Sequence, residues 1–115
     1  MGYRSDVTIG ITKALYTKAM LLDNIPKALE GVNKLESENN IYWQIEGWKW
    51  YESYTEVPDI IEWFNWCNEE SEADDTHETH FGALRLGEEY GDAEEWGNPS
   101  DFDIYKDHHI SSPFS

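Results

Sequence analysis

The chain has 115 residues, enough to bury about two-thirds of its unfolded surface, so we expect a single domain over residues 1–115. With 39% apolar and 15% aromatic residues, it does not have the composition of a disordered acidic tail. Its formal net charge of −16 opposes direct binding to nucleic acid or to an anionic membrane surface, because like charges repel.

The net charge lies in the second part of the chain. Basic and acidic residues are equal in number through Tyr51, whereas from Glu52 onward the carboxylates face only Arg85 and Lys106. This concentrated anionic field favours basic protein surfaces as partners. Cys67 is the only cysteine, so no intrachain disulfide can form. The absence of a secretory leader and of a long apolar run predicts a cytoplasmic protein.

The first predicted elements are a strand and a helix. Apolar and polar residues alternate over Asp6–Thr12, which is the period of a half-buried strand. Apolar residues recur at helical spacing over Lys13–Leu22, with Thr12 as the candidate N-cap. A proline is tolerated in a first helical turn, so a short helical segment is expected over Ile25–Val32, followed by a polar loop over Asn33–Asn40.

A hairpin and a long helix are predicted next. Ile41–Ile45 alternates again, and Glu46-Gly47 interrupts a run that resumes over Trp48–Glu52, which indicates a hairpin. Thr55–Glu72 has helical periodicity, with Thr55 as the candidate cap. Depending on the hairpin register, the tryptophans expected in the core are Trp43, Trp48 or Trp50. The core-facing arc of the helix is expected to hold Val57, Ile60, Ile61, Phe64 and Cys67.

The opposite arc of this helix combines carboxylates with tryptophan and has no basic residue for an i to i+4 ion pair. Its acidic positions are Glu56, Asp59, Glu62, Glu69 and Glu70. Trp66 projects from the middle of the arc, and Trp63 from its edge. Two interpretations of Trp66 remain open: another part of the chain covers it, or it is presented to a partner as an interface anchor.

The remaining chain is predicted as an acidic loop over Glu69–His80, a strand over Phe81–Leu86, an acidic turn over Gly87–Pro99 and a last strand over Phe102–Ile110. The order strand, helix, strand, strand, helix, strand predicts an α+β fold with a ferredoxin-like β-α-β-β-α-β antiparallel sheet. Both helices are expected on one face of the sheet, with one extra C-terminal strand.

Two patterns resemble metal sites only weakly. His77 and His80 lie beside Asp74, Asp75 and Glu78, but the spacing is unspecific, so exposed histidines and a metal site are both open. The adjacent His108 and His109 point to opposite faces if they lie in a strand. Asp92–Asp103 places glycine at the sixth position of a calcium loop, yet Trp96 and Pro99 occupy unsuitable positions, which favours a turn.

Catalytic motifs are not recognisable in this sequence. It shows no nucleophile–His–Asp arrangement, no phosphate-cradling glycine loop and no cysteine-based motif. Its carboxylates are too numerous for any pair to be singled out as an acid and a base. We therefore predict a protein that is not an enzyme and that has no cofactor and no metal.

Three segments carry a family resemblance: the opening MGYRSDV, the central EGWKWYESYTEV with its K-W-Y-x-S-Y run, and FGALRLGEEYGD. Here the sequence resembles a family of small, mostly uncharacterised acidic phage proteins. That resemblance implies a phage origin and one compact domain, and it carries no established catalytic residues. The charge pattern is also similar to that of phage anti-defence proteins that act as DNA mimics.

The resulting hypothesis is a phage-encoded stoichiometric inhibitor of a bacterial defence system of the restriction or CRISPR type, acting as a monomer or homodimer in the infected host cytoplasm. Its partner would be a host protein with a basic, nucleic-acid-binding surface. The predicted contact residues are Glu56, Asp59, Glu62, Trp66, Glu69, Glu70, Glu72, Asp74, Asp75, Glu88, Glu89, Asp92, Glu94, Glu95 and Trp96. The alternatives are a non-enzymatic adaptor or structural interaction protein whose charge serves solubility, and a small metal-dependent enzyme.

Overall fold

The computed structural model describes residues 4–48, 56–73, 79–88, 91–106, 110–111 and 113. Its helices are α1 (Lys13–Leu21) and α2 (Glu56–Glu72), with 3₁₀ helices at Lys27–Gly31 and Pro99–Phe102. Its strands are β1 (Ser5–Thr12), β2 (Asn33–Glu36), β3 (Asn40–Trp48), β4 (Phe81–Gly87), β5 (Ala93–Gly97), β6 (Tyr105–Lys106) and β7 (Ile110–Ser111).

The fold is α+β, as predicted, with a five-stranded sheet in the order β2-β3-β1-β4-β5. Every neighbouring pair in this sheet is antiparallel. β1 is the central strand, which explains why Val7, Ile9 and Ile11 are completely buried. The predicted β1, α1 and β4 lie within one residue of the observed bounds, and the Thr12 hydroxyl accepts from the Leu15 N–H as an N-cap should.

Both helices pack on the same face of the sheet, as predicted. Leu15 of α1 and Ile60, Phe64 and Cys67 of α2 join one buried cluster with the inward residues of β1. Aromatic rings fill the layer between them: the Phe64 and Phe81 ring centroids lie 5.5 Å apart. Trp43 is buried and Trp48 packs against this cluster, whereas Trp50 lies outside the described residues.

The other face of the sheet is covered by the chain end. Phe102, Ile104 and Ile110 form a second buried cluster with Tyr42 and Leu84. The predicted single strand over Phe102–Ile110 is wrong: β6 and β7 pair with each other in a separate two-stranded sheet. Asp103 turns the chain after the 3₁₀ helix with a φ of 59°, so the apolar residues reach the core through turns.

The predicted hairpin over Ile41–Glu52 is also wrong in its described part. β3 continues through Glu46-Gly47 and pairs Trp48 with Ser5 of β1, so no turn occurs at the glycine. Gly47, with a φ of 65°, instead forms a bulge opposite Asp6, whose carboxylate accepts the Gly47 N–H at 2.8 Å. Residues 49–52 and the candidate cap Thr55 lie outside the described residues.

Two segments predicted as irregular form edge strands. Part of the polar loop Asn33–Asn40 is β2, which pairs with β3 and packs Leu35 against the second cluster. Part of the acidic turn Gly87–Pro99 is β5, which pairs with β4. Edge strands tolerate polar and charged side chains because one side of the backbone faces solvent, and this hides their alternation in the sequence. The helical segment predicted at Ile25–Val32 is the shorter 3₁₀ helix Lys27–Gly31.

Candidate functional site

The outer face of α2 is acidic and open, as the periodicity predicts. Asp59, Glu62, Glu69 and Glu72 are exposed. Glu70 is half-buried and forms an ion pair with Lys18 of α1, so a cation from another element compensates this carboxylate. Of the other predicted contacts nearby, Glu56 begins the helix without a described side chain, and Asp74 and Asp75 lie outside the described residues.

Trp66 is neither fully covered nor fully exposed. Its side chain is half-buried and packs against the buried cluster between the helices and the sheet, which we call the helix-side core. Part of it also lines a surface pocket of about 370 Å³ between α2 and the turn that follows α1. We call this the acidic pocket; it is lined by Asp23, Asn24, Ile25, Pro26, Asp59, Glu62, Trp63 and Trp66.

The wall supplied by α2 follows from its sequence spacing. Asp59, Glu62, Trp63 and Trp66 stand at i, i+3, i+4 and i+7, which places them along one side of the helix. Asp23 completes the pocket from the opposite side. Three carboxylates thus surround one concave site, and none of its described lining residues is basic.

Trp63 is the most buried residue of this wall. The sequence placed it at the edge of the acidic arc, but it is only 3% exposed, because its ring packs edge-on against Trp43 at 5.7 Å between centroids. Its indole nitrogen is buried and has no hydrogen-bond acceptor within the described part of the chain. A buried donor without an acceptor is rare and costs free energy.

Asp23 is a functional candidate that sequence analysis missed, because Asp23-Asn24 reads only as a helix stop. It follows α1 with a φ of 51°, in the left-handed region where glycine is the usual residue. The Asn24 N–H donates to the Ala19 carbonyl at 2.8 Å and fixes this turn. The sequence carried no signal that this aspartate would lie beside α2, because that contact depends on the tertiary fold.

Two predicted contacts, Asp92 just before β5 and Glu94 within it, have a different environment. Arg85 of β4 is buried, and its Nη2 lies 2.7 Å from the Asp92 carboxylate while its Nε lies 2.8 Å from that of Glu94. Its Nη1 also donates to the Ser5 hydroxyl at 2.8 Å. Burial lowers the pKa of Arg85, but the hydrogen bonds and charges of Asp92 and Glu94 outweigh it and leave the pKa above its ordinary value. We call these four residues the Arg85 cluster.

The other predicted contacts near β5 are dispersed. Trp96 is half-buried, with its ring centroid 4.9 Å from that of Phe64, so it belongs to the helix-side core. Glu95 is exposed and, as a neighbour of Trp96 in the strand, points to the other face. Glu88 accepts the Arg4 backbone N–H at 3.0 Å. Glu89 lies outside the described residues.

The histidine cluster proposed from sequence is described only in part. His80 Nδ1 lies 2.7 Å from the Thr12 hydroxyl, in the part-buried link between β1 and the start of β4. His77, His108 and His109 lie outside the described residues, as does Glu78. Within the described ranges, no group of three His, Cys, Asp or Glu side chains is placed to hold a metal ion.

Comparisons with known proteins returned nothing: no family model, no curated protein sequence and no solved structure matches the chain. Neither α1 nor α2 has the length and apolar character that a membrane span requires, and the same holds for every helix in the described residues. Functional inference therefore rests on the geometry of the acidic pocket and on the charge around it.

Proposed function

We propose that this protein is a phage-encoded stoichiometric inhibitor that binds a basic, nucleic-acid-binding surface of a bacterial defence protein in the cytoplasm of the infected host. The observation that carries the proposal is the convergence of three carboxylates and a half-buried tryptophan in the acidic pocket, on the exposed face of α2. Carboxylates on such a face speed association with a cationic partner, and a partly buried tryptophan slows dissociation.

The phage origin within this proposal rests on sequence resemblance. The same holds for the likeness to DNA mimics, which display carboxylates where a duplex displays phosphates. Asp59, Glu62, Glu69 and Glu72 lie along α2 as an exposed acidic row, and this arrangement supports a partner that normally binds a polyanion. The contact face proposed on the described residues is therefore α2 with Asp23, and Asp92 and Glu94 are left out of it.

We also propose that α1, α2 and the first four strands form a ferredoxin-like unit. Its support is the strand order β4-β1-β3-β2 with antiparallel neighbours, together with the β-α-β-β-α-β order along the chain. β5 is then an addition beside β4, and β6 and β7 belong to the cover of the opposite sheet face.

The proposed function is tested by competition. A partner captured from bacterial lysate at low salt is bound to the protein and titrated with duplex DNA, and we expect mutual exclusion and weaker binding as salt rises. The variant E62K/E69K should abolish binding, whereas E36K/E38K, with the same charge change on exposed residues around β2, should retain most of it. Simultaneous binding of DNA and protein to the partner, or equal affinities of the two variants, would contradict inhibition through this face.

A second candidate, an adaptor whose charge serves solubility, is favoured by one observation. Met20, Leu21 and Leu22 at the end of α1 are 57%, 82% and 58% exposed, which is unusual for three consecutive apolar residues. An adaptor of this kind would lose partner affinity on Leu21→Ser and keep it in E62K/E69K. Inhibition through the acidic face predicts the larger loss in E62K/E69K.

A further inference from the structure

We propose that the acidic pocket receives one arginine residue of the partner: its guanidinium lies between Asp23, Asp59 and Glu62 against Trp66, and its peptide carbonyl accepts the Trp63 indole N–H. This inference deepens the proposed function and rests on it, because it names the group that the acidic face recognises.

The negative charge of the pocket favours a cationic ligand. Its three carboxylates come from two elements, and none of the described lining residues is basic. Lys18 of α1 pairs with Glu70, and Lys34 Nζ of β2 lies 2.9 Å from the Tyr16 hydroxyl and 4.7 Å from its ring centroid. Lys27 follows the lining residue Pro26 in the chain and is exposed, but it does not line the pocket. An incoming guanidinium would therefore supply the positive charge that the described chain does not place there.

The shape and lining favour arginine over lysine. A guanidinium is planar, donates through a fork of five N–H groups and stacks on aromatic rings, whereas an ammonium is a compact and strongly hydrated point charge. Carboxylates on two sides of the pocket, with Trp66 as a wall, match a flat group with several donors. The pocket volume of about 370 Å³ has room for one such side chain together with its backbone.

The unpaired Trp63 indole N–H indicates a second group on the ligand, a hydrogen-bond acceptor. Its N–H is a donor only, so a cation cannot satisfy it, whereas a peptide carbonyl can. The nitrogen is covered in the free protein, so an acceptor reaches it only if the pocket wall shifts locally. The ligand therefore carries a cation and an acceptor together, as an arginine residue within a peptide does.

Asp23 lines the pocket from the turn that follows α1. Its φ of 51° lies in the left-handed region that glycine favours and that asparagine and aspartate tolerate. Replacement by asparagine keeps a residue that tolerates this conformation and removes the charge. Asp23→Asn thus separates the role of the carboxylate from that of the turn.

The first experiment uses N-acetylarginine amide as the probe and N-acetylcitrulline amide as its uncharged counterpart. Binding is followed in ¹⁵N–¹H spectra through the Trp63 indole resonance, which Trp63→Phe identifies. We expect the arginine amide to move this resonance and to bind at least ~10-fold more tightly than the citrulline amide. Equal affinities, or an arginine titration that leaves the Trp63 resonance in place, would overturn the proposal.

The second experiment compares two variants that remove the same charge from α2. D59N/E62Q removes two pocket carboxylates, whereas E69Q/E72Q removes two exposed carboxylates that do not line the pocket. We expect the pocket variant and D23N each to weaken arginine-amide binding ~10-fold or more, while E69Q/E72Q changes it less than about threefold. Equal weakening by the two double variants would show a diffuse field and overturn the pocket assignment.

Partner binding separates this inference from the proposed function. If the captured partner still competes with DNA but binds D59N/E62Q and E69Q/E72Q equally, the pocket assignment fails and inhibition through the acidic face stands. If arginine amide binds the pocket while no DNA-competitive partner is found, the function fails and the arginine site stands.

Discussion

The acidic pocket and the Arg85 cluster both contain carboxylates from the acidic part of the chain, yet they differ in what faces those carboxylates. In the Arg85 cluster, Asp92 and Glu94 hold a buried guanidinium at 2.7 and 2.8 Å. In the acidic pocket, Asp59, Glu62 and Asp23 line an open site that has no basic residue among its described lining residues. The comparison shows that formal charge and charge available to a partner are separate quantities.

Sheet register explains why the two regions differ. Arg85 of β4 lies directly opposite Glu94 of β5, on the helix-facing side of the sheet, so the pair forms when the strands align. At the pocket, α2 faces the turn at Asp23, and none of the described lining residues is basic. The Arg85 cluster is therefore expected to govern stability, and the acidic pocket to govern binding.

The largest expected effect comes from Gly97→Ala, which tests how closely the end of β5 is packed against β4. Gly97 has a φ of 64°, and an added Cβ would lie 2.4 Å from the Phe81 carbonyl oxygen. We expect a loss of about 3 kcal/mol in the free energy of unfolding, from backbone strain and overlap together. Urea denaturation measures it. Gly31→Ala, which meets nothing within 4 Å, should lose less than 1 kcal/mol, and similar losses would contradict the account.

Arg85→Met is expected to have the next largest effect, about 2–3 kcal/mol of destabilisation, because it leaves Asp92 and Glu94 without their shared cation. Arg85→Lys retains the charge but not the fork that contacts both carboxylates, so it should recover only part of the loss. Urea denaturation of both variants measures the difference. An Arg85→Met protein as stable as the wild type would show that the Arg85 cluster does not stabilise the fold.

A matched pair of isosteric variants tests the comparison directly. Glu94→Gln should cost about 1 kcal/mol of stability, because it weakens the hydrogen bond to Arg85 Nε, and should leave arginine-amide affinity unchanged. Glu62→Gln should change stability by less than about 0.5 kcal/mol and should weaken arginine-amide binding. Thermal unfolding and amide titration are measured on both proteins. If Glu94→Gln weakened arginine-amide binding and Glu62→Gln lowered stability, the distinction between the two regions would be wrong.

The smallest change is expected at Cys67, on the inner side of α2. Burial, and then the charge of Glu70, raise the pKa of its thiol above the ordinary value. The thiol should therefore stay unreactive towards a disulfide reagent in the folded protein and react on denaturation. Rapid labelling of the native protein would show that α2 opens from the sheet.

The sign of the pH effect at Cys67 follows from the same pKa shift. Below about pH 8.5, the pKa of the thiol in the unfolded chain, the thiol is protonated in both the folded and the unfolded state, and the free energy of unfolding has its full value. As pH rises above that value, the unfolded chain loses the proton first, so the free energy of unfolding falls. Cys67→Ala should remove this part of the alkaline loss, as measured by denaturation at neutral and alkaline pH.

Local pattern allowed much of the fold to be predicted. Alternation identified β1 and β4, helical spacing identified α1 and α2, and the order of elements indicated an antiparallel α+β sheet. The predictions failed where pattern was weak: β2 and β5 are short polar edge strands, and Gly47 forms a bulge where a turn was expected. The C-terminal residues reach their core through turns, so their apolar side chains show no strand period.

For the candidate site, the sequence by itself determined that Asp59, Glu62 and Trp66 share one side of α2, because helical spacing is a local property. It also determined the sign of the charge and its concentration in the second part of the chain. Tertiary structure decided which carboxylates are already paired, since Arg85 meets Ser5 and Glu94 only through strand register. It also brought Asp23 beside α2 and buried the Trp63 indole, because these contacts join residues far apart in the chain.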